Sequence, residues 1–424
     1  MIVTVRSGPL SGSVNAPVSK SAMQRACAIA LLAKGTSVLQ NPGISNDDQA
    51  ALDVIQRLGA KVIRLDDGSL QISSEGVHPV SSTLNCGESG LGIRMFTPLA
   101  ALSTDSLTIT GSGSLLTRPM NFFDEIFPLL GISIQSSGGR LPLQIKGPLR
   151  PASITVDGSL SSQFLTGLLL AYAASVDAHR HPITVTNLRS KPYIDLTLEL
   201  LQHAGISIVH EDYKVFHFPE NSGELKPLNY SVEGDWSGAA FLLVAGALYG
   251  NISVSGLNAS SAQADKAILD ALSLAGAAWS EKDGVFLTRH APLNAFEFDA
   301  TDCPDLFPPL VALAARCNGT STLAGVNRLA HKESNRGLAL QQEFGKMGVE
   351  IVLNDNLMQV KGTNHIKGAE LSSHHDHRIA MAGAIAGIGA EGITRITDAG
   401  AIDKSYPEFY RDMQSLNAII EIEH

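Results

Sequence analysis

The sequence predicts an α/β protein of six repeated units in two domains, and three observations lead to this prediction. Short strand-like runs recur at nearly constant spacing, among them Thr36-Ser-Val-Leu, Ser106-Leu-Thr-Ile-Thr and Ile393-Thr-Arg-Ile. Each of the first five runs precedes a helical apolar pattern that ends at a glycine, and a second helix in each unit opens at a Ser or Asp. Six such units in 424 residues, 44% of them hydrophobic, exceed one core of ordinary size.

Each unit is expected to run from a strand into a helix, then through a hairpin into a second helix. The first strands begin at Thr36, Ser106, Pro182, Ile252, Thr320 and Ile393. The first helices end before Gly59, Gly131, Gly205, Gly276 and Gly348, which lie 72, 74, 71 and 72 residues apart. The second helices are expected to have their capping residues at Ser21, Ser89, Ser162, Asp235, Asp305 and Asp376. Because the last unit ends before its second helix, the N-terminal strand and the helix from Ser21 are expected to complete it.

The division into domains follows from grouping three units together. Residues 19–231 are predicted to form one domain, and residues 1–18 with 232–424 the other, with the active site in the cleft between them. An open solenoid is an alternative for a repeat of this period. Against it, each unit mixes helix and strand, and neither terminal unit resembles a polar cap.

Composition excludes several classes of partner. A net charge of −10 and an aromatic content of 5% argue against a nucleic-acid or anionic-membrane surface, which needs clustered positive charge. The chain begins with no signal-peptide pattern, and every long apolar run is interrupted before a membrane-spanning length. Cys27, Cys86, Cys303 and Cys317 lie in no metal-binding spacing, so we expect free thiols and a cytoplasmic protein.

The predicted helix starts form an anion-binding pattern. A helix N-terminus presents free N–H groups and a partial positive charge, and several such ends facing one cleft would bind a multiply anionic ligand. Basic residues lie beside these starts and the first loops: Lys20, Arg25, Arg94, Arg118, Lys191, Lys332, Arg336, Arg378 and Lys404. On an acidic chain this cluster predicts a small phosphorylated substrate. A non-catalytic anion-binding repeat protein is the alternative that these features alone permit.

Individual motifs within this pattern have ordinary structural explanations when they are taken singly. Lys20-Ser-Ala-Met-Gln-Arg25 is also a solvated helix end with a serine cap, and Asp305 after Cys303-Pro304 is also a capping carboxylate. Lys332-Glu333-Ser-Asn-Arg336 is also a charged helix face. The run His374-His-Asp-His377 suggests a metal site, but consecutive residues do not easily converge on one ion, and no metal is expected.

Together and in order, the motifs resemble those of the 5-enolpyruvylshikimate-3-phosphate synthase family of enolpyruvyl transferases over nearly the whole chain. The runs that carry the resemblance are Pro17-Val-Ser-Lys-Ser21, Glu88-Ser-Gly-Leu-Gly-Ile-Arg94, Arg118-Pro, Ser161-Ser-Gln163, Ser190-Lys-Pro-Tyr193, Cys303-Pro-Asp305, Lys332 to Arg336, Asp376-His-Arg378 and Asp403-Lys404. Departures from the family pattern are Val18 for Gly, Leu91 for Thr, Met95 for Pro and Asn335 for Asp. The last departure puts an acidic neighbour of Arg336 in doubt.

The resemblance implies a fold, a reaction and a set of partners. The fold is an inside-out α/β barrel in two domains of three βαβαββ repeats each. The reaction transfers the enolpyruvyl group of phosphoenolpyruvate to the 5-hydroxyl of shikimate 3-phosphate, with release of phosphate, in aromatic amino-acid biosynthesis. No metal or organic cofactor is implied. A monomer is expected, and members of the family are targets of glyphosate.

The resemblance also implies roles for individual residues of this chain. The catalytic residues are Asp305, Glu333 and Lys20. Shikimate 3-phosphate is bound by Lys20, Ser21, Arg25, Ser161, Ser162, Gln163, Ser190, Tyr193, Asp305 and Lys332. Phosphoenolpyruvate is bound by Lys20, Gly90, Arg118, Gln163, Arg336, Arg378 and Lys404. A partly desolvated Asp305 beside an anionic substrate is expected to have a raised pKa.

The nearest alternative is the sister enzyme, UDP-N-acetylglucosamine enolpyruvyl transferase. It would share the six-unit fold, but it usually has Lys-Asn where this chain has Lys20-Ser21. It also usually carries a reactive cysteine near the position of Arg118, where this chain has none.

Overall fold

The computed structural model describes residues 1–423, and the chain divides into two units. The central unit is Val18–Val232, and the terminal unit joins Met1–Pro17 to Glu233–His424. Each unit is described below by itself. Across the described residues, none of the helices combines the length and apolar composition that a bilayer crossing requires.

Strands make up the outer part of each repeat. In chain order the first fourteen are β1 (Ile2–Arg6), β2 (Leu10–Asn15), β3 (Gly35–Gln40), β4 (Lys61–Arg64), β5 (Leu70–Ser74), β6 (Thr83–Asn85), β7 (Ser106–Thr110), β8 (Ser133–Gln135), β9 (Leu143–Lys146), β10 (Ile154–Asp157), β11 (Ile183–Thr186), β12 (Val209–Glu211), β13 (Val215–His217) and β14 (Asn229–Ser231). The next ten are β15 (Gly250–Ser255), β16 (Ala278–Lys282), β17 (Val285–Arg289), β18 (Glu297–Asp299), β19 (Thr320–Ala324), β20 (Glu350–Asn354), β21 (Leu357–Lys361), β22 (Glu370–Ser372), β23 (Ile393–Thr397) and β24 (Ile419–Glu423). All six predicted first strands are confirmed.

The strands form four-stranded sheets of one plan. In the order β6-β7-β9-β8, β7 pairs in parallel with β6 and antiparallel with β9, and β9 pairs antiparallel with β8. Four other sheets repeat this plan: β14-β3-β5-β4, β10-β11-β13-β12, β2-β15-β17-β16 and β18-β19-β21-β20. In the sixth, β22-β23-β1-β24, the N-terminal strand β1 lies antiparallel between β23 and β24. The N-terminal strand therefore completes the sixth sheet, as the sequence predicts, whereas the helix that follows it belongs to the central unit.

The helices of each unit divide into a buried set and a half-exposed set. The buried helices are α1 (Lys20–Leu32), α3 (Gly90–Ala100), α5 (Ser162–Ala173), α7 (Trp236–Tyr249), α9 (Phe307–Ala314) and α11 (His377–Ile388). The half-exposed helices are α2 (Asn46–Arg57), α4 (Asn121–Ile126), α6 (Lys191–His203), α8 (Ile268–Leu274), α10 (Arg336–Lys346) and α12 (Phe409–Ser415). Every residue of α3, α9 and α11 is buried. A helix that is apolar on all sides is stable only inside a core, and α7 accordingly contacts β15 and β17.

The helix ends confirm part of the capping prediction. Each of the five predicted glycines follows a helix with a positive φ, as at Gly59 (φ 108°) and Gly131 (φ 74°). Ser89, Asp235 and Asp376 cap α3, α7 and α11 by accepting hydrogen bonds from backbone N–H groups. These local signals are confirmed because a cap depends on only a few consecutive residues.

Three predicted caps are wrong. Helix α1 is capped by Ser19, which accepts from the Ala22 N–H at 3.3 Å, and not by Ser21. Helix α5 is capped by Ser161 rather than Ser162. Asp305 lies inside the short 3-10 turn Pro304–Leu306 that precedes α9 and makes no capping bond. Its carboxylate is bonded instead by Lys332 and Arg336, which are distant from it in the sequence.

Candidate active site

In the central unit, helix α1 carries the buried guanidinium of Arg25 one turn inside its N-terminal end. Arg25, 1% exposed, donates from Nε to Thr197 Oγ1 at 2.9 Å and from Nη1 to the Ser21 carbonyl at 2.8 Å. Its Nη2 donates to the Tyr193 carbonyl at 3.1 Å. Burial lowers the pKa of Arg25 to about 10, so the side chain stays charged at neutral pH. Arg25 thereby contacts two other predicted shikimate 3-phosphate residues, Ser21 and Tyr193.

A second group of predicted residues meets where α3 and α5 begin. Arg94 Nη1 donates to Gln163 Oε1 at 2.8 Å, and the Arg94 guanidinium lies 5.0 Å from the Phe164 ring centre. A Cβ on Gly90 would lie 2.4 Å from Arg118 Nη1 and 3.5 Å from Arg94 Nη1. Two guanidinium groups therefore flank the first residue of α3, an arrangement suited to a planar anion.

Lys20 has a partner that the sequence reasoning missed. Its Nζ donates to Asp47 Oδ2 at 2.9 Å, and both side chains are mostly buried. Asp47 lies in the first turn of α2, next to Asp48, which completes a capping box with Ser45. Two adjacent acids at a helix start were the available signal, but they are also the ordinary complement of a helix dipole.

Three predicted hydroxyl-bearing residues lie at the starts of α5 and α6. Ser161 Oγ accepts from the Gln163 N–H at 3.2 Å, and Ser162 is 3% exposed. Ser190, directly before α6, has a left-handed backbone with φ 55° and is 5% exposed. The structure therefore places every predicted binding residue of this unit at or near the start of α1, α3, α5 or α6, apart from Arg118 in the loop after β7.

In the terminal unit, Asp305 is surrounded by three cations. Lys332 Nζ and Arg336 Nη1 donate to Asp305 Oδ1 at 3.0 and 2.6 Å, and Arg378 Nη2 lies 3.4 Å from Oδ2. Lys332 precedes α10, Arg336 is the first residue of α10 and Arg378 lies in the first turn of α11, and the fold brings them together. A carboxylate held by three cations is a strongly organised electrostatic centre.

The expected raised pKa of Asp305 is wrong for the ligand-free protein. Burial is the largest influence and would raise this pKa, but Lys332, Arg378 and Arg336 together lower it well below the usual range. Asp305 is therefore a carboxylate at neutral pH. Burial lowers the pKa of Lys332, and the Asp305 charge offsets part of that effect. In Asp305, attraction to three cations outweighs desolvation.

Arg336 lies at the centre of the same cluster, between three carboxylates. Besides its bond to Asp305, it donates from Nη2 to Glu333 Oε2 at 2.6 Å and from Nε to Asp376 Oδ2 at 2.8 Å. Arg336 is 1% exposed and the Asp376 side chain is fully buried. Asn335 is the cap of α10, accepting from the Leu338 N–H. The doubt about an acidic neighbour is resolved, since Asp305, Glu333 and Asp376 supply it.

The last predicted cation, Lys404, is held by a neutral acceptor. Its Nζ donates to the backbone carbonyl of His375 at 2.6 Å, and the residue is 8% exposed. Arg378, two residues beyond the Asp376 cap, also donates from Nη1 toward the Ser237 carbonyl at 3.5 Å. Each of these two cations is therefore oriented in part by a main-chain oxygen.

One further buried acid was not anticipated. Asp265 is fully buried and accepts a short hydrogen bond from Ser237 Oγ. Burial raises the pKa of Asp265 to about 6, and the nearby Asp305 charge adds to the rise. No local signal in Ala264-Asp-Lys266 distinguishes this residue from a solvated loop acid.

The fold and the two clusters define a class: an α/β protein in which cationic side chains gather at helix starts beside carboxylates, an arrangement suited to small, multiply anionic ligands. The family model for EPSP synthase, 3-phosphoshikimate 1-carboxyvinyltransferase, matches residues 5–413. The chain belongs to this family and is a transferase.

Individual relatives agree with this assignment. The chain is 37% identical over 425 residues to the 3-phosphoshikimate 1-carboxyvinyltransferase of Methanocorpusculum labreanum, with 99% of each chain covered. It is 35% identical to that of Aeropyrum pernix, with 99% of this chain and 96% of the relative covered.

Two solved structures support the fold. EPSP synthase from Acinetobacter baumannii superimposes with a TM-score of 0.83 over 100% of both chains at 24% identity. The enolpyruvyl transferase NikO from Streptomyces tendae gives a TM-score of 0.80 at 17% identity, with 99% of this chain and 98% of that chain covered.

Proposed function

We propose that this chain transfers the enolpyruvyl group of phosphoenolpyruvate to the 5-hydroxyl of shikimate 3-phosphate, the reaction of the family to which it belongs, through the residues of the two clusters. An acid protonates the methylene carbon of phosphoenolpyruvate while the 5-hydroxyl oxygen bonds to its second carbon and loses its proton. Phosphate then leaves as a proton is removed from the same methyl carbon, and an enol ether results. No step requires a metal or organic cofactor.

The proposed proton transfers fall to Asp305, Glu333 and Lys20. The ionised Asp305 is suited to accept the proton of the 5-hydroxyl, because a base must be deprotonated before it acts. Glu333, whose side chain is 15% exposed and bonds Arg336 at 2.6 Å, is the candidate for exchanging a proton with the donor. Lys20, joined to Asp47 at 2.9 Å, is the third candidate.

We assign binding residues to each of the two substrates. For shikimate 3-phosphate we propose Lys20, Ser21, Arg25, Ser161, Ser162, Gln163, Ser190, Tyr193, Asp305 and Lys332. For phosphoenolpyruvate we propose Lys20, Gly90, Arg118, Gln163, Arg336, Arg378 and Lys404. Arg25 uses its buried guanidinium to hold the main chain of Ser21 and Tyr193, so part of its contribution is to arrange the neighbours of the ligand.

The observation that carries the proposal is the Asp305 centre. Its oxygens lie 2.6 to 3.4 Å from Arg336, Lys332 and Arg378, which places a base beside three groups that attract phosphate and carboxylate. A protein that only binds anions gains nothing from a carboxylate at this position, because like charges repel. A transferase needs both the cations and the base.

The test is phosphate release by the purified chain. Rates with phosphoenolpyruvate and shikimate 3-phosphate are compared with rates with phosphoenolpyruvate and UDP-N-acetylglucosamine. We expect turnover only in the first mixture, and turnover only in the second would assign the chain to the sister reaction. Asp302→Asn, three residues before Asp305, serves as a control variant for Asp305→Asn in the same loop.

We propose also that the chain acts as a monomer in the cytoplasm, without nucleic-acid or membrane partners. The net charge of −10 supports the absence of a polyanion-binding surface. The buried free thiols of Cys27, Cys86, Cys303 and Cys317 are compatible with a reducing compartment. Light scattering of the purified chain measures the oligomeric state, and a mass of two chains would overturn the monomer.

A further inference from the structure

The turn between β22 and α11 contains two consecutive residues with strained backbones. His374 has φ 52° and His375 has φ 55°, in the left-handed region that is unfavourable for a residue with a Cβ. Asp398, after β23, has φ 56° and contacts this turn. Such strain persists only where the surrounding structure over-determines it, and it is concentrated at functional sites.

Buried and exposed carboxylates lock the two histidines. His374 Nε2 lies 2.8 Å from Glu343 Oε1. The Glu343 side chain is 2% exposed and accepts also from Lys346 Nζ at 2.7 Å and from the Ser372 N–H at 2.9 Å. Burial alone would raise the pKa of Glu343, but these hydrogen bonds lower it, so the anchor is an ionised carboxylate.

The second histidine has an anchor of its own. His375 Nδ1 lies 2.6 Å from Asp398 Oδ2. Ser373 Oγ donates to the Asp398 carbonyl at 2.8 Å and accepts from the His375 N–H at 3.2 Å. The turn is therefore tied to α10 through His374 and to the segment after β23 through His375.

The turn presents the main-chain oxygen of His375 to Lys404. The His375 carbonyl accepts from Lys404 Nζ at 2.6 Å, and its direction depends on the left-handed backbone at His374 and His375. A carbonyl that accepts a hydrogen bond fixes the direction of an ammonium group and carries no net charge of its own. We propose that the His374–His375 turn is a positioning device that holds Lys404 in place for phosphoenolpyruvate.

The choice of residues supports a role beyond connecting two elements. A glycine adopts positive φ without a steric cost, but it would leave the turn without side-chain anchors. A histidine at each position has a strained backbone, but its ring bonds a carboxylate: Glu343 for His374 and Asp398 for His375. The inference rests on the proposed role of Lys404 in binding phosphoenolpyruvate, so its test must separate the two.

The test compares two variants at the same position. His375→Gly keeps the carbonyl and relieves the strain but removes the Asp398 anchor. His375→Asn keeps the anchor, because its amide nitrogen takes the place of Nδ1 and Asn tolerates a left-handed backbone. For His375→Gly we expect the KM for phosphoenolpyruvate to rise about fivefold, with the KM for shikimate 3-phosphate and kcat within about twofold of wild type. For His375→Asn we expect wild-type values.

His374→Ala removes the buried anchor and is expected to raise the KM for phosphoenolpyruvate about tenfold. His365→Ala is the matched control, since His365 Nδ1 also bonds a carboxylate, Glu391, at 2.8 Å but lies on the surface. Thermal unfolding of every variant reports whether a change in KM reflects loss of fold. His375→Gly, which removes strain, keeps the test valid if His374→Ala does not fold.

The possible outcomes distinguish the binding role of Lys404 from the positioning role of the His374–His375 turn. A raised KM for phosphoenolpyruvate in Lys404→Met, with a KM for shikimate 3-phosphate close to that of wild type, supports the role of Lys404. If that role holds and His375→Gly and His374→Ala keep the wild-type KM for phosphoenolpyruvate, the turn is only a connection and the positioning role is overturned. Equal rises in the KM values of both substrates would overturn it as well, because the effect would then not act through Lys404.

Discussion

Replacing Gly90 by Ala introduces a methyl group against the Arg118 guanidinium. A Cβ built on Gly90 lies 2.4 Å from Arg118 Nη1 and 3.6 Å from its Cζ. Ordinary contacts between such atoms are about 3.5 Å, so the guanidinium must move by about 1 Å. The atom that the new Cβ meets is the far end of a flexible side chain rather than backbone, so it can shift. The fold is therefore expected to survive.

The cost falls on ligands that Arg118 binds. Hydrogen bonds to charged groups contribute about 1.5–3 kcal/mol, and each 1.4 kcal/mol is a factor of about ten. We therefore expect Gly90→Ala to raise the KM for phosphoenolpyruvate about tenfold. Glyphosate, a larger anion that occupies the same site in the family, loses the same contact and also meets the new methyl group. Its inhibition constant should rise by a larger factor.

The assay is initial-rate phosphate release at fixed shikimate 3-phosphate, with phosphoenolpyruvate and glyphosate varied. Gly345→Ala is the control, because a Cβ at that position in α10 meets no atom within 4 Å. The reasoning is refuted if the KM and the inhibition constant rise by the same factor, since Gly90 would then not discriminate between the ligands. An unchanged KM would refute the displacement of Arg118.

Three further predictions concern charged residues. Asp305→Asn is expected to lower kcat about a hundredfold or more while shikimate 3-phosphate still binds, because a general base is lost; isothermal calorimetry and rates measure both. Arg336→Lys is expected to lower the free energy of unfolding by about 3 kcal/mol, because a lysine cannot bond all three surrounding carboxylates, of which Asp376 is fully buried; urea denaturation measures it. Asp48 is buried and its pKa is raised to about 6, chiefly by burial. The free energy of unfolding of the wild type is therefore expected to fall by about 3 kcal/mol between pH 4 and pH 6, and this fall should be absent in Asp48→Asn.

The direction of the Asp48 effect follows from proton binding. Between its ordinary pKa and the raised one, the folded chain binds the proton that the unfolded chain has lost. Stability therefore falls as pH rises through this interval and levels off above about pH 6. A difference in unfolding free energy between wild type and Asp48→Asn that does not change with pH would contradict the raised pKa.

The other two predictions have controls in the same unit. Near-normal turnover in Asp305→Asn would mean that Asp305 has only a structural role in its loop. Asp302→Asn measures the effect of neutralising another acid of the same loop. For Arg336→Lys the control is Arg316→Lys, which loses a surface bond to the Asn364 carbonyl. Equal losses of stability in these two variants would mean that the buried carboxylates add nothing to Arg336.

Local signals in the sequence were sufficient for the repeat and for many of its boundaries. The first strands, the glycines after the first helices and the caps Ser89, Asp235 and Asp376 were all predicted, because each depends on a few consecutive residues. The resemblance rests on motifs of the same kind, in which a short run such as Ser161-Ser-Gln163 keeps its identity and position.

Contacts between distant residues were beyond such signals. Asp305 reads as a helix cap, yet its carboxylate is held by Lys332, 27 residues away, and its pKa falls where burial alone would raise it. Arg336 meets Asp376 across 40 residues, and Lys20 meets Asp47 in another helix. Caps and periodicity are set by neighbours along the chain, whereas ion-pair partners and the pKa values that follow from them are set by how the repeats pack. Only the tertiary structure decides which charges meet.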